Sequence, residues 1–409
     1  MNTFNFVGEI IIPKDTEKFK AYSVEILKDK WEKRTLTLNV SCGDNKHSIR
    51  VQDFGDKDIN NRVIYTMLNK NADGKFTSVK IDFKDREDKI KDIAPFKKFV
   101  LDTGDADERA KIYNIKNRYE KDEDSVTEEE KTKYNITSEE DIEKLIEKSY
   151  SERKEFICEY DFINSLYDTF SNDKYKNCKF KVTGNYQFTK SIVNGETKYY
   201  TEYIPTRVIR VKSDTEYEST MSAEIIYKDS SNIVTTENID GVKNTVFNGW
   251  LVNYNKNYKK DDTNSEKDIS MPISINMNTF SDKSLEKFKD KLDIISVSSE
   301  YKVIGLVINC IDGSPTLSFT EDMLTEDEKA DIECGFYTFE DLKKEKGYLK
   351  GEKIKEFRFA KIGTGYTGGG KDTAYPSSMF ENVDNKTDTD DEISDIDLDD
   401  INLDDIVVL

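Results

Sequence analysis

Short runs of alternating apolar and polar residues fill most of the chain and limit the folds open to it. In the first third these runs occupy residues 4–12, 21–27, 34–42, 47–54 and 76–83, with weaker runs at 97–102 and 108–115. Turn-forming Gly, Asn and Asp residues separate several of them. Alternation with a period of two predicts half-buried strands. Successive short strands with little helix between them are typical of a small closed barrel.

A change of pattern interrupts these strands between about residues 120 and 172. The sequence TSEE at 137–140 is a capping box ahead of apolar residues at helical spacing. Residues 159–170 carry a second helical stripe through Phe162, Leu166 and Phe170. Strand patterns resume at 178–190 and 197–211, where Pro205 is expected to mark an edge or a break. We therefore predict a first barrel over residues 1–212 with a helical insertion at about 120–172.

The second half repeats the order of strands, helix and strands. Strand patterns occupy residues 218–228, 244–255, 268–277, 301–311 and 353–362, and helices are predicted at 284–292 and after TEDE at 325–328. This order predicts a second, similar β-rich domain over residues 213–362. Residues 363–383 are rich in glycine and predict a flexible linker.

The last 26 residues, 384–409, hold half of the net charge of the chain. They contain eleven acidic residues and one lysine, a net −10 out of −20, and they repeat in fives as DIDLD, DINLD and DIVVL. One interpretation is a solubilising acidic tail. The other is a peptide that mimics nucleic acid by charge and offers an apolar tip to protein partners. Regularly placed Ile and Leu favour the second interpretation, and the predicted partner-binding residues are Asp404, Asp405, Ile406, Val407, Val408 and Leu409.

Composition argues against several kinds of site and compartment. His47 is the single histidine, and the five cysteines lie at least 20 residues apart, which excludes a CxxC zinc site. Scattered cysteines in odd number are typical of a reducing compartment. No apolar run approaches the roughly 18 residues of a membrane span, and the N-terminus lacks the pattern of a signal peptide. We expect a soluble cytoplasmic protein without a metal or cofactor.

Signals for catalysis are weak. Glu300 and Lys302 with Asp293, and Glu196 with Lys198, imitate the acid-x-Lys pattern of metal nucleases. With 35% charged residues, such triplets arise easily by chance. No nucleophile elbow or dinucleotide-binding fingerprint occurs. We expect a protein that is not an enzyme, with a magnesium nuclease as a third possibility.

Aromatic residues lie beside cations on the predicted strands, which is the combination that binds single-stranded nucleic acid. Bases stack on aromatic rings for about 1–3 kcal/mol each, while Lys and Arg follow the phosphates. The candidate residues are Trp31, Lys33, Arg34, Arg50, Phe54, Tyr186, Phe188, Lys190, Tyr199, Tyr203, Arg207, Arg210, Trp250, Tyr254, Lys256, Tyr258 and Lys259. The competing interpretation is that strand aromatics such as Tyr186 and Phe188 fill a barrel interior. Because the body carries a net −10, DNA binding also requires these cations to line one groove.

The strand-rich body, the Gly-rich linker and the acidic tail with an apolar end resemble the replicative single-stranded-DNA-binding proteins, above all those encoded by bacteriophages. The sequence DDINLDDIVVL at 399–409 is similar to the tip by which those proteins recruit replication partners, although Val408-Leu409 replaces the Pro-Phe end typical of bacterial members. The resemblance implies a mainly β fold with helical insertions, made of two barrels like the oligonucleotide/oligosaccharide-binding (OB) fold and followed by a disordered acidic tail. It also places Trp31, Arg34 and Arg50 on the binding face of the first barrel.

We therefore expect a protein that coats single-stranded DNA without sequence preference during replication, recombination and repair. Its partners would be single-stranded DNA and, through the tail, replication or recombination proteins, with no membrane involved. If it is encoded by a phage, it would act in the host cytoplasm. The alternative is a non-enzymatic phage structural or assembly protein with a solubilising acidic tail.

Overall fold

Strands make up most of the regular structure in this computed structural model, which describes residues 2–27, 30–239, 241–255, 258, 267–293, 300–317, 320, 323–346, 349–363 and 371–380. Within those ranges the strands are β1 (Thr3–Ile11), β2 (Tyr22–Leu27), β3 (Trp31–Cys42), β4 (Asn45–Asp56), β5 (Val63–Met67), β6 (Ser78–Asp82), β7 (Phe99–Asp102), β8 (Arg153–Phe156), β9 (Lys179–Val193), β10 (Glu196–Arg210), β11 (Glu218–Tyr227), β12 (Ile233–Glu237), β13 (Lys243–Tyr254), β14 (Asp268–Asn276), β15 (Lys302–Gly313), β16 (Thr316–Leu317), β17 (Leu349–Lys350), β18 (Ile354–Ile362) and β19 (Lys371–Asp372). The helices are α1 (Arg86–Lys89), α2 (Ala106–Tyr119), α3 (Glu128–Tyr134), α4 (Glu139–Ser149), α5 (Glu159–Phe170), α6 (Asp282–Asp293), α7 (Glu326–Glu333) and α8 (Phe339–Lys346). The protein is therefore mainly β, with helices between the strands and a large mixed sheet.

Five strands of the first half pair in a closed order, which we name ring one. β1 pairs antiparallel with β3 and with β9, β3 pairs with β4, and β9 pairs with β10. The ring closes where β10 runs parallel to β4, at Tyr203 and Ile49. β1 pairs with β11 up to Val7 and with β3 from Glu9, and Gly8 lies between these two stretches. A Cβ at Gly8 would come within 2.2 Å of the carbonyl oxygen of Ser41. Only a glycine permits this close crossing of the two backbones.

Five strands of the second half, named ring two, repeat the same pairing order. β11 pairs antiparallel with β13 and with β15, β13 pairs with β14, and β15 pairs with β18. This ring closes where β18 runs parallel to β14, at Phe357 and Ile275. In both rings, then, the first strand pairs with the second and fourth, and the third strand pairs in parallel with the fifth.

The two rings share one sheet and one apolar cluster. β1 pairs antiparallel with β11, and the largest cluster of buried apolar residues includes members of both rings. His47 of β4 lies at this junction, stacked on Phe6 with ring centroids 4.2 Å apart. Ser219 Oγ donates to the carbonyl oxygen of Cys310 (2.6 Å) and therefore accepts from His47 Nε2 (2.6 Å). The domain boundary at residues 212 and 213 falls between β10 and β11 and stays a prediction.

The helical insertion of ring one begins earlier than the sequence pattern indicated. Residues 108–115, predicted as a weak strand, belong to α2, because Asp105 caps that helix by accepting from the amide of Glu108 (3.0 Å). Ile112 and Ile115 are its buried residues, at helical rather than alternating spacing. The predicted helix at 159–170 is α5, and its buried residues, Phe162 among them, belong to the apolar cluster of the two rings.

Part of the predicted flexible linker packs on ring two. Residues 371–380 lie within the predicted linker at 363–383, yet β19 pairs with β15 and Phe380 is only 2% exposed. The aromatic and apolar residues Tyr375, Met379 and Phe380 account for this difference, because they bury against ring two. The tail at 384–409 and the candidates Lys256 and Lys259 lie outside the described residues.

Candidate nucleic-acid interface

The outward side of β3 and β4 forms a two-stranded face on ring one. Leu36, Leu38 and Val40 of β3 point into the ring and are buried, so the alternate residues point outward. We name these outward residues the β3–β4 face: Trp31, Lys33, Thr35, Thr37, Asn39, Ser41, Lys46, Ser48, Arg50, Gln52, Phe54 and Asp56. The face carries three cations and one carboxylate, in a chain with a net charge of −20. The carboxylate is that of Asp56, which lies opposite Trp31, is 8% exposed and pairs with Lys30 (3.8 Å). At roughly 3.3 Å per residue, it extends about 33 Å from Trp31 to Ser41.

Two exposed aromatic rings lie at one end of the β3–β4 face. Trp31 is 42% exposed and Phe54 is 47% exposed. Lys33 pairs with Phe54 in the register of β3 and β4, and its Nζ lies 5.9 Å from the centroid of the Phe54 ring. An exposed ring next to a cation offers a base a stacking surface and offers the adjacent phosphate a counter-charge.

Carboxylates border the β3–β4 face on its neighbouring strands. Arg50 Nη1 lies 3.2 Å from Glu202 Oε1 of β10, and both side chains are partly exposed. Glu25 of β2 lies opposite Lys33 in the strand register. Within the described part of the chain, Lys33 and Lys46 form no ion pair. Two of the three cations on the face are therefore available to phosphates, and Arg50 becomes available if its pair with Glu202 opens.

Arg34 belongs to the other side of β3, which corrects its predicted place on the binding face. Arg34 lies two residues before the inward-pointing Leu36, so its side chain is on the inward side of β3. Its guanidinium donates to Glu32 Oε1 (2.8 Å), to Tyr22 Oη (2.9 Å) and to Asn164 Oδ1 (2.8 Å). The Arg34 guanidinium is thus engaged in hydrogen bonds within the protein.

Sequence reasoning missed Arg62, which completes this internal cluster. Arg62 is 6% exposed, and its guanidinium bonds to Asp53 and Glu32. Burial raises the pKa of the Asp53 carboxyl, and the bond from Arg62 opposes that shift. Arg34 and Arg62 also lie over the Tyr160 ring, at 4.3 and 4.5 Å from its centroid. A single arginine in a loop carries no sequence signal for such a role.

The predicted aromatic surface on β9 lies inside ring one. Tyr186 and Phe188 are each 3% exposed, because they continue the inward alternation of Phe180 and Val182. They therefore fill the core, and the interpretation of these rings as a platform for bases is corrected. Lys190 has the same parity but lies past the core and is exposed, toward the tip of the β9–β10 hairpin.

The tyrosines of β10 also pack inward. Tyr203 lies at an angle to Phe4 and Phe6, with ring centroids 5.2 and 4.9 Å away, and burial raises its pKa well above the ordinary value. Tyr199 is partly buried against Phe188, at 6.2 Å between centroids. Tyr203 and Tyr199 are therefore mainly core residues.

Arg207 and Arg210 face the helical insertion and its flanks. A register shift between Pro205 and Arg207, as expected at the proline, changes which residues of β10 point outward. Arg207 then donates to the carbonyl oxygen of Pro95 (3.5 Å), and Arg210 pairs with Asp105 (3.4 Å). The structure therefore does not bring these two arginines onto the β3–β4 face.

The described candidates of the second half are a partly covered tryptophan, Trp250, an exposed tyrosine, Tyr254, and a half-buried tyrosine, Tyr258. Trp250 packs against Tyr301 and Phe380, with both centroids 5.6 Å away. Tyr254 is 58% exposed at the end of β13, and its ring lies 6.5 Å from that of Tyr258. Trp250 is thus partly covered in this conformation, while Tyr254 is open.

The nuclease-like triplet does not assemble into a site. Lys302 Nζ points into ring two, where it donates to the carbonyl oxygen of Leu292 (3.3 Å), and Glu300 pairs with Lys228 (2.7 Å). Asp293 accepts from the amide of Ser230 (2.9 Å). Among the residues that the structure describes, no three His, Cys, Asp or Glu side chains group in a way that could hold a metal ion.

Comparisons with known proteins identify no family. No protein-family model matches the chain, and no curated protein sequence matches it. Among solved structures, the chain is similar to a deletion mutant of the single-stranded DNA binding protein from Thermus aquaticus, with 6% identity over 76% of this chain and 87% of that chain and a TM-score of 0.29. A TM-score this low does not establish a common fold. None of the helices in the described ranges is long and apolar enough to cross a membrane.

Proposed function

We propose that this protein binds single-stranded DNA without sequence preference, and coats it during replication, recombination and repair. The observation that carries this proposal is the β3–β4 face. It combines two exposed aromatic rings and three cations with a single, buried carboxylate, that of Asp56, on a strongly acidic protein. An acidic protein that only needs to remain soluble has no reason to keep an excess of cations on one face. Rings and cations together are what sequence-independent binding to a single strand requires.

The pairing order of the rings supports an assignment as two OB-like barrels, over residues 1–212 and 213–362. An OB barrel is a five-stranded Greek-key barrel that binds oligonucleotides on its second and third strands and on the loops next to them. In ring one, β3 and β4 hold the second and third places. The exposed aromatic side chains and the cations of the β3–β4 face therefore lie on the strands where an OB barrel would bind its ligand.

The β9–β10 hairpin would extend this interface. It joins the fourth and fifth strands of ring one, and the loop at that place contributes to OB binding sites. Because β10 runs parallel to β4 with Tyr203 opposite Ile49, the tip of the hairpin lies toward the β3–β4 turn, away from Trp31. Lys190 near that tip would contact phosphates at the far end of the face. Tyr254, Lys256, Tyr258 and Lys259 would contribute from ring two.

The acidic tail would serve two roles in this proposal. Its aspartates would compete weakly with DNA for the cationic face, since like charges repel DNA from the protein. Its end, from Asp404 to Leu409, would bind replication or recombination proteins once DNA has displaced it. Binding of DNA and recruitment of partners would then be coupled.

One gel experiment separates this proposal from its competitors. Labelled oligo(dT) is incubated with the full chain at low salt, with and without EDTA. A retarded, intact band that EDTA does not change supports a single-strand-binding protein. An unshifted band would contradict it and favour a structural or assembly protein, while degradation that EDTA stops would indicate a magnesium nuclease.

A further inference from the structure

Within the described residues, ring two carries a cover that has no counterpart on the β3–β4 face of ring one. Residues 371–380, which we name the covering segment, lie on the outer side of β13 and β14. Phe380 is 2% exposed, and its ring centroid lies 4.9 Å from that of Tyr301 and 5.6 Å from that of Trp250. Ser270 Oγ donates to the carbonyl oxygen of Met379 (2.8 Å). These contacts cover the Trp250 ring in part, so that it is half-buried.

The covered face of ring two is the counterpart of the β3–β4 face. β13 and β14 hold the second and third places in ring two, as β3 and β4 do in ring one. Trp250 points outward, because Leu251 and Phe247 carry the inward alternation of β13. Each ring therefore presents a tryptophan on the outward side of its second strand, exposed in ring one and covered in ring two.

The contacts of the covering segment leave the indole N–H group of Trp250 without a hydrogen bond in the described part of the chain. Trp250 Nε1 is buried and has no hydrogen-bond acceptor among the residues that the structure describes. A buried N–H without an acceptor costs free energy relative to its hydrated state. A permanent core position would be expected to pair this donor, and a ligand with exposed oxygen acceptors, such as nucleic acid, could pair it instead.

The covering segment is also held by few backbone bonds. β19 is two residues long, pairing Lys371 with Val303 and Asp372 with Lys302, and the amide of Thr373 donates to the carbonyl oxygen of Tyr301 (3.2 Å). The Ser270 bond and side-chain packing add to this attachment. A segment held in this way can open at less cost than a full strand of the ring.

We propose that the outward side of β13 and β14 is a second binding surface for single-stranded DNA, and that the covering segment and DNA compete for it. This inference rests on the proposed function and specifies how that function is regulated. A base displaces Phe380 from Trp250, and Tyr254 at the open edge is the point where the strand enters.

Intrinsic fluorescence tests the proposal directly, because Trp31 and Trp250 are the two tryptophans of the chain. In a Trp31→Phe variant, Trp250 is the only tryptophan. Oligo(dT) of about 30 nucleotides is long enough for two barrels at roughly 4–16 nucleotides each. Anisotropy of the labelled oligonucleotide measures binding, while Trp250 emission and its quenching by acrylamide measure opening of the cover. We expect saturating DNA to quench the Trp250 emission, as stacking on a base requires.

A second variant weakens the cover itself. Phe380→Ala removes the ring that buries Trp250, which shifts the population toward the open face. The affinity for the long oligonucleotide should then rise about tenfold or more, because apparent affinity scales with the fraction of binding-competent protein. Phe336→Ala is the matched control, since Phe336 is 73% exposed and should leave the affinity unchanged.

The outcomes distinguish this inference from the proposed function. If the Trp31→Phe variant binds DNA while Trp250 emission and acrylamide quenching stay constant, the cover is permanent and the inference is overturned, whereas the proposed function stands. If neither the native chain nor the variant binds DNA, the proposed function fails and the inference fails with it. Should Phe380→Ala unfold, as its circular dichroism would reveal, the fluorescence of the Trp31→Phe variant alone decides.

Discussion

Removing both exposed rings of the β3–β4 face should abolish most of the DNA affinity without unfolding the protein. Each base stacked on an aromatic ring contributes about 1–3 kcal/mol, so Trp31→Ala with Phe54→Ala should cost about 2–6 kcal/mol of binding free energy. With a tenfold change for each 1.4 kcal/mol, this is a loss of at least about 30-fold in affinity. Both side chains are more than 40% exposed, so the free energy of unfolding should change by less than about 1 kcal/mol.

Fluorescence anisotropy of labelled oligo(dT) measures the affinity of this double variant, and chemical denaturation measures its stability. Tyr65→Ala is the matched control, because Tyr65 is 79% exposed on β5, a strand that belongs to neither ring one nor ring two. An affinity of the double variant within threefold of the native value would refute stacking on this face. An equal loss in Tyr65→Ala would point instead to a general effect of removing surface rings.

Three further predictions concern charge. Glu202→Gln should free Arg50 and raise DNA affinity up to about fivefold, the range of a partly exposed ion pair, and an unchanged affinity in the anisotropy assay would show that Arg50 does not contact the strand. Deleting residues 384–409 should raise the affinity at low salt, because it removes a net −10 from the protein; a lower or equal affinity would contradict competition by the tail. Burial lowers the pKa of His47 to about 4, with Lys355 adding to the shift and Asp312 opposing it. Because unfolded His takes up a proton below about pH 6.5, the free energy of unfolding should fall by about 3 kcal/mol as the pH decreases from 6.5 to 4. The free energy of unfolding of His47→Gln, measured by denaturation, should not show this decrease. The same dependence on pH in the native protein and in the variant would exclude His47 as its source.

The strands could be predicted from the sequence because alternation is a local signal. The buried inward residues alternate from Leu36 to Cys42 in β3 and from Phe180 to Phe188 in β9. Asn194 and Gly195, both with positive φ, form the turn between β9 and β10. The closing parallel pairs, β4 with β10 and β14 with β18, join segments more than 80 residues apart and leave no local pattern. The short β5 and β12 went unpredicted, and α2 was taken for a strand because its apolar residues are few.

The candidate interface was only partly predictable, because alternation gives two faces without saying which one is inside. Trp31, Lys33, Arg50 and Phe54 share the outward face, but Arg34, one residue from Lys33, points the other way. Tyr186 and Phe188 fit either interpretation from the sequence, and their burial identifies them as core. The role of residues 371–380 was hidden, because a Gly-rich stretch next to an acidic tail is typical of a linker.

The salt dependence of binding to single-stranded DNA tests the central claim most directly. Labelled oligo(dT) is titrated with the full chain at several salt concentrations, and the dissociation constant is read from anisotropy. We predict a Kd below about 10 μM at low salt and a slope of about −2 for log affinity against log salt, at roughly −0.7 for each of three cations on the β3–β4 face. A Kd above about 10 μM at low salt, or an affinity that salt does not change, would contradict the claim that rings and cations on this face bind a single strand.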